Sequence, residues 1–242
     1  MLSDLTLVQI IAANACVFLG AVVQGVAGIG LAIVAVLLLA LIDTALIPVP
    51  MMMLALELSI FITLKERSDV YVRGAVSALA GYLPGAIAGG FIIWLLPHEL
   101  MAIVIAVIVM VAVLISVVGF SAKPTVGNSV IAGMTAGVMG TISSVAGPVF
   151  GLLYQHESGP RVRGTINAIF VVAAVITISV NAVAGRVHLF EFLVFLSLNP
   201  GIVIGYIASR PLARYLDHGF IRPTILIISF ASAVAVLIQQ VG

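Results

Sequence analysis

Long apolar runs, each closed by a short polar or charged stretch, make up most of the chain, and their lengths predict helices that cross a bilayer. Leu5 to Ile42 is 38 residues without a charge. As one helix it would be about 57 Å long, against a hydrocarbon core of about 30 Å. The chain must therefore turn near Gln24 to Gly30, making either two crossings or a re-entrant hairpin. After Asp43 and Pro48 a span runs to Leu64, and Lys65, Glu66, Arg67 and Asp69 form a charged loop. Further spans are expected at Tyr71 to Leu96, Leu100 to Phe120, Ser129 to Tyr154, Thr165 to Ala184, Phe190 to Ile207 and Ile221 to Ile238. None alternates in and out, and all exceed the roughly 10 residues of a barrel strand, which excludes an outer-membrane barrel.

Two runs carry polar interruptions where a continuous membrane helix has little use for them. One is Gln24-Gly25-Val-Ala-Gly28-Ile-Gly30; the other is Gly137-Val-Met-Gly140-Thr141-Ile-Ser143-Ser144-Val-Ala-Gly147-Pro148. Each reads as a broken helix. Freed backbone groups survive in a bilayer only when buried in protein or lining a polar cavity, so such breaks are candidate binding sites.

The halves also align. Ala21 to Gly28 lies over Gly133 to Gly140 at an offset of 112, which superposes Pro48 on Pro160. Pro84, Gly85 and Gly89 fall on Pro200, Gly201 and Gly205 at 116, and Leu96 and His98 on Leu216 and His218 at 120. The expected architecture is all-α: two membrane repeats, residues 1–122 and 123–242, with about ten apolar helical elements, some broken or re-entrant.

Composition agrees with a membrane class: 63% of residues are hydrophobic and 8% charged. A net charge of +1 without a basic cluster offers nucleic acid nothing to hold. No Lys or Arg precedes Lys65, so the N-terminus reads as mature protein rather than a cleaved signal. The single cysteine, Cys16, has no partner for an intrachain disulfide. If each interrupted segment makes two crossings or none, one side receives Lys65, Arg67, Arg73, Lys123, Arg161, Arg163, Arg210, Arg214 and Arg222, and the other only Arg186. That nine-to-one split fits a cytoplasmic basic side in a cell inner membrane, with both termini outside. Each half then crosses an odd number of times, so the second is inverted relative to the first, a recurrent transporter plan.

Candidate substrate-binding positions are Gln24, Gly25 and Gly28 in the first break and Gly140, Thr141, Ser143 and Ser144 in the second. Asn167 and Asn199 add side-chain amides. A helix restarting after Gly140 or Gly147 would aim N–H groups and its positive dipole end inward, as an anion requires. The competing reading is close helix packing, with hydroxyls bonded to their own backbone. Asn14 fits an interhelical bond as well as a ligand. Pro84-Gly85 and Asn199-Pro200-Gly201 are expected to kink or break a second helix pair. Glu57 lies about 12 Å into the membrane and is the candidate for proton coupling; a structural pair with an arginine is its rival. Arg161 and Arg163 are placed at the cytoplasmic mouth. No metalloprotease, nucleophile-elbow, paired-cysteine or phosphate-loop signature appears, so neither enzyme activity, cofactor nor metal is expected.

The two breaks, Pro160-Arg161-Val-Arg163-Gly-Thr and the two Pro-Gly-x-x-x-Gly elements resemble the TauE/SafE-type sulfite exporter family over nearly the whole chain. The breaks depart from the family pattern in reading Gly28-Ile-Gly30-Leu31-Ala32 and Ser143-Ser144-Val-Ala-Gly147-Pro148. The resemblance implies movement of sulfite, sulfonates such as sulfoacetate, or other small organic anions, commonly outward. The alternatives are a proton-coupled carrier of another small solute using Glu57, and a membrane subunit that transports nothing.

Overall fold

The computed structural model describes residues 6–215 except 41, 44–45, 48, 98–99, 101–102, 105–106, 109, 112–122 and 155. The expected last span, 221–238, lies outside the described residues, as does most of 100–120. Eight α-helices are bounded among them, with no strand: α1 (Leu7–Ala27), α2 (Leu31–Ala40), α3 (Val49–Lys65), α4 (Val72–Leu95), α5 (Val126–Ser143), α6 (Gly147–Tyr154), α7 (Gly159–Val183) and α8 (Leu189–Tyr215). Four of them, α1, α4, α7 and α8, are long and apolar enough to cross a membrane. A turn of 3₁₀ helix at Arg67–Asp69 joins α3 to α4.

Local chemistry fixes several starts. Thr6 and Gln9 form a capping box at α1, and the Thr125 hydroxyl accepts from the Asn128 N–H at 3.3 Å at α5. Pro160 lies in the first turn of α7, where its missing N–H costs nothing. α4 runs unbroken through Pro84, and α8 through Pro200 and Pro211, so these prolines do not break their helices. At Pro200 the cause is visible. The Asn14 side chain donates to the Ser197 carbonyl at 2.9 Å and accepts from the Gly201 N–H at 3.0 Å, bridging two groups that one helical turn separates. Asn14 is therefore an interhelical bond.

The helices reverse the amphipathicity of a soluble bundle. α4 buries Gly74, Ala75, Ala78, Gly81, Gly85 and Ala86, while Leu83, Ile87, Phe91 and Trp94 are exposed. Small residues inside and large apolar ones outside suit a lipid surround, where close backbone approach rather than water exclusion drives packing. A Cβ on Gly81 or Gly85 would overlap the carbonyl oxygens of Val130 and Met134, and one on Gly133 or Gly137 those of Ala78 and Tyr82. α4 and α5 thus lie in reciprocal contact and parallel, with Gly89 reaching Val138. α1 and α8 repeat this arrangement: Gly201 meets Asn14, Gly205 meets Phe18 and Ala21, and Gly25 meets Ser209.

α3 follows the same direction as α8, pairing Glu57 with Asn199 and Phe61 with Tyr206. α7 follows α4, pairing Tyr82 with Thr177 and Arg186 with Ile93. Glu66, at the end of α3, meets Arg163 and Gly164 at the start of α7. Hence α1, α3 and α8 point one way, and α4, α5 and α7 the other. Arg186 lies at the far end of the bundle, where burial pushes its guanidinium pKa down and Nη2 donates to the Ile93 carbonyl at 3.3 Å.

The apolar interior forms two clusters that do not follow the halves of the sequence. One is built mainly from α1, α2, α3 and α8, through Val17, Leu39, Leu54, Leu58 and Ile202. The other takes α4 to α7, through Tyr82, Ala136, Phe150 and Ile166. The fourth helix of each half thus packs against the other half's broken helix.

Gly85→Val is expected to lower the thermal midpoint in detergent by an amount equivalent to about 2–3 kcal/mol, because backbone on both sides must move. Gly127→Ala, whose added Cβ would meet nothing within 4 Å among the described residues, is expected to leave the midpoint unchanged or slightly raised.

Candidate functional site

The first interrupted helix ends in a left-handed residue. Gly28, at φ 84°, returns its N–H to the Gln24 carbonyl at 2.7 Å, and Gly30 stands at φ 136°, a region closed to L side chains. The chain then doubles back as α2, setting Leu31 on Gly20. Amides satisfy the opened backbone. Gln24 accepts from the Leu31 N–H at 3.2 Å and donates to Asn167 Oδ1 at 3.0 Å and Ser59 Oγ at 3.4 Å. Asn167 donates to the Gly28 carbonyl at 3.0 Å and to the Arg163 carbonyl at 2.9 Å. Both side chains are buried. Four helices, α1, α2, α3 and α7, are therefore tied together at one break.

The second interrupted helix ends the same way without a glycine. Ser144 stands at φ 65°, the sole non-glycine in the left-handed region among the described residues, and returns its N–H to the Gly140 carbonyl at 2.8 Å. That conformation costs an ordinary residue about 1–2 kcal/mol. α6 then folds back, with Ala146 against Gly140 and Tyr154 beside Gly74 at the start of α4. Ser143 donates to the Met139 carbonyl at 2.8 Å and accepts from the Val145 N–H at 3.3 Å, so its hydroxyl braces the turn. The matching caps, Gly28 and Ser144, are 116 residues apart. The second break thus falls one helical turn later than the offset of 112 placed it.

The two tips meet. Ile29 packs on Gly147 and Gly151, and beside that contact lies a pocket of about 440 Å³, its open mouth included. It is lined by Gln24, Gly30, Ala32 and Ile33 from the first break and by Ser144, Ala146 and Gly147 from the second. Tyr82, Met52, Ala55, Phe170, Ala173 and Ala174 complete the wall.

Of the positions expected from sequence, Gln24 and Ser144 line this pocket. Gly28 and Asn167 form the bracing behind it, and Gly140 holds the Tyr82 hydroxyl close. Thr141 lies 3.4 Å from Thr177, oxygen to oxygen. Gly25 packs on Ser209 instead. Glu57 and Asn199 are not pocket-lining; the Asn199 amide donates to the Glu57 carboxylate, joining α3 to α8. Arg161 is half exposed, paired with Glu157 at 3.5 Å and stacked 5.0 Å over the Tyr71 ring. Arg163 is buried rather than at an open mouth: it donates to the Val26 carbonyl at 3.2 Å and pairs with Glu66 at 3.5 Å.

Sequence reasoning missed Tyr82 and Thr177. The Tyr82 hydroxyl lies 2.8 Å from that of Thr177, and both residues are fully buried. A usable signal existed, because tyrosines of membrane helices favour the interfaces and Tyr82 stands in mid-helix, two residues before Pro84.

Apolar, lipid-suited helices around two interrupted ones define a multi-pass helical membrane protein with an internal pocket. The family model described as Sulfite exporter TauE/SafE matches residues 13–236. The chain therefore belongs to this family of membrane transporters. No curated protein and no solved structure matches it.

Asn167→Ala would strand the Gly28 carbonyl and one Gln24 donor in the interior. A loss of about 2–3 kcal/mol is expected, read as a lowered thermal midpoint, because two buried groups lose their partner.

Proposed function

We propose that this protein exports small sulfur-containing anions, sulfite or a sulfonate, by alternating access around the pocket between the two helix breaks. The observation that carries this reading is their convergence: Gly30 and Ala32 of one and Ser144, Ala146 and Gly147 of the other share a single wall. α2 and α6 begin there, so their N-terminal ends and positive dipoles meet the same space. Ser144, Tyr82 and backbone N–H groups supply the polar contacts, and alanines leave the room.

The direction of the helices supports an inverted repeat. In order, α1 to α4 correspond to α5 to α8, and α1, α3 and α4 each oppose their counterparts. The α1–α8 contact then mirrors the α5–α4 contact. Under this reading the packed clusters, α1 to α3 with α8 and α4 to α7, are the bodies that rock, rather than the sequence halves. Charge supports one orientation: Lys65, Arg67, Arg73, Arg161, Arg163 and Arg210 gather at one end and Arg186 stands at the other. The basic end faces the cytoplasm of the inner membrane.

Energetics favour export. A monovalent anion leaving a cell at 100 mV inside-negative gains about 2.3 kcal/mol, enough for a ratio of about 50, without a coupling ion. Coupling through Glu57 is the second reading, favoured by its embedded bond to Asn199. Glu57→Gln separates the two. Uncoupled export retains at least half its rate in this variant, whereas a proton-coupled carrier loses its response to a pH gradient.

Labelled sulfite flux in proteoliposomes tests the site. Ala174→Leu fills the pocket and is expected to cut flux at least tenfold while the protein still inserts. Ser144→Gly keeps the left-handed turn, removes the hydroxyl and relieves strain; the expected result is an unchanged or raised thermal midpoint with flux lowered several-fold. Flux unaffected by Ala174→Leu would contradict the site.

A further inference from the structure

Arg163 reaches from one packed body into the other. It stands near the start of α7, in the body of α4 to α7, while two of its partners belong to the body of α1, α2, α3 and α8. Nη1 donates to the Val26 carbonyl at 3.2 Å, in the last turn of α1, and Nε lies 3.5 Å from Glu66 Oε1, one residue beyond the end of α3. The tip of the first break rests on the same residue, since a Cβ on Gly28 would stand 3.0 Å from the Arg163 Cα. We infer that Arg163, Val26 and Glu66 form the cytoplasmic gate of the transport cycle, closed in the structure described here and opened when Glu66 gives up Arg163 and keeps Lys65. This rests on the reading of the pocket as the transport site and of the two clusters as the moving bodies.

The position of the contact is what makes it a gate. Phe170, Ala173 and Ala174 line the pocket seven to eleven residues farther along α7, about 10–16 Å from Arg163 and away from the basic end. On α3 the pocket residues Met52 and Ala55 likewise precede Glu66 by three to four turns. Parting Arg163 from Val26 and Glu66 therefore separates the bodies between the pocket and the cytoplasm. At the offset of 112 that superposes Pro48 on Pro160, Arg163 and Asn167 fall on Met51 and Ala55. The matching place in the first half is apolar, so the latch is one-sided.

The contact is also built to be reversible. Lys65 Nζ lies 3.6 Å from the same Glu66 oxygen that faces Arg163. Both separations exceed the roughly 2.7–2.9 Å of a tight charge-assisted hydrogen bond, so the two cations share the carboxylate. A carboxylate that loses its partner in a closed interior is costly, and Lys65, whose side chain is 40% exposed, supplies a second one at the surface. Val26 is in the last turn of α1, where carbonyls have no acceptance to make within the helix. Arg163 meets that carbonyl when the gate is closed; water entering from the cytoplasm meets it when the gate is open.

Sided labelling of a single cysteine tests the gate. In the full chain carrying Cys16→Ser, Ala174→Cys places the only thiol on the pocket wall. Inside-out and right-side-out membrane vesicles are treated with a membrane-impermeant thiol reagent, and sulfite flux is measured on the reconstituted unsubstituted protein. Glu66→Gln weakens the hold on Arg163 and is expected to speed labelling from the cytoplasmic face at least threefold, without speeding it from the opposite face. Lys65→Gln, at an exposed position, removes the competing cation and is expected to slow cytoplasmic labelling at least threefold. A merely structural pair would change both faces alike and give no opposite response. Equal changes at the two faces, both variants shifting in the same direction, or no change in Lys65→Gln overturns the gate, and sulfite flux through the unsubstituted protein then leaves the exporter reading standing. Absence of that flux removes the transport reading and this inference together.

Discussion

Hydrocarbon offers no hydrogen-bond partner, and the structure is arranged around that constraint. Where a helix stops inside the bundle, its last carbonyls and the first N–H groups of the next helix must be met by protein. At the first break Gln24 and Asn167 do this, linking α1, α2, α3 and α7 through buried amides. At the second, Ser143 bonds to its own turn and Ser144 accepts a strained conformation. The two solutions differ chemically and end in the same geometry.

Close packing makes room for this arrangement. Glycine faces let α4 lie against α5, and α1 against α8, at backbone contact. Each interrupted helix is thereby held by a helix from the other half, and the tips are left to meet at Ile29 and Gly147. In the function proposed above, binding and movement both follow from that exchange. The pocket sits where two bodies touch, and a relative displacement of either would alter its wall.

Much of this was legible in the residues. Glycines and amides inside a 38-residue apolar run required a turn, and Gly28 supplies it. The second motif also broke within its predicted stretch. Its position shifted by one turn because Ser144, not Gly140, takes the left-handed conformation, and a serine carries no such signal. The burial of Arg163 was hidden for another reason: its partners, Val26 and Glu66, are distant in sequence and converge only after folding. Asn167 stood in the sequence as a candidate substrate-binding amide, and its bond to the Gly28 carbonyl shows only once the two are brought together by the fold. The exchange of α4 and α8 between clusters left no local trace, since glycine faces specify closeness and not the identity of the neighbour.

If the two tips meet at the transport site, a covalent link between them should lock it. A Cβ at position 147 would lie 3.4 Å from that of Ile29, close to the separation a disulfide needs. In a Cys16→Ser background, Ile29→Cys with Gly147→Cys should therefore oxidise to an intramolecular disulfide in the membrane. Anion flux should stop on oxidation and return on reduction. Failure of the pair to cross-link, or full flux through the cross-linked protein, would contradict the account.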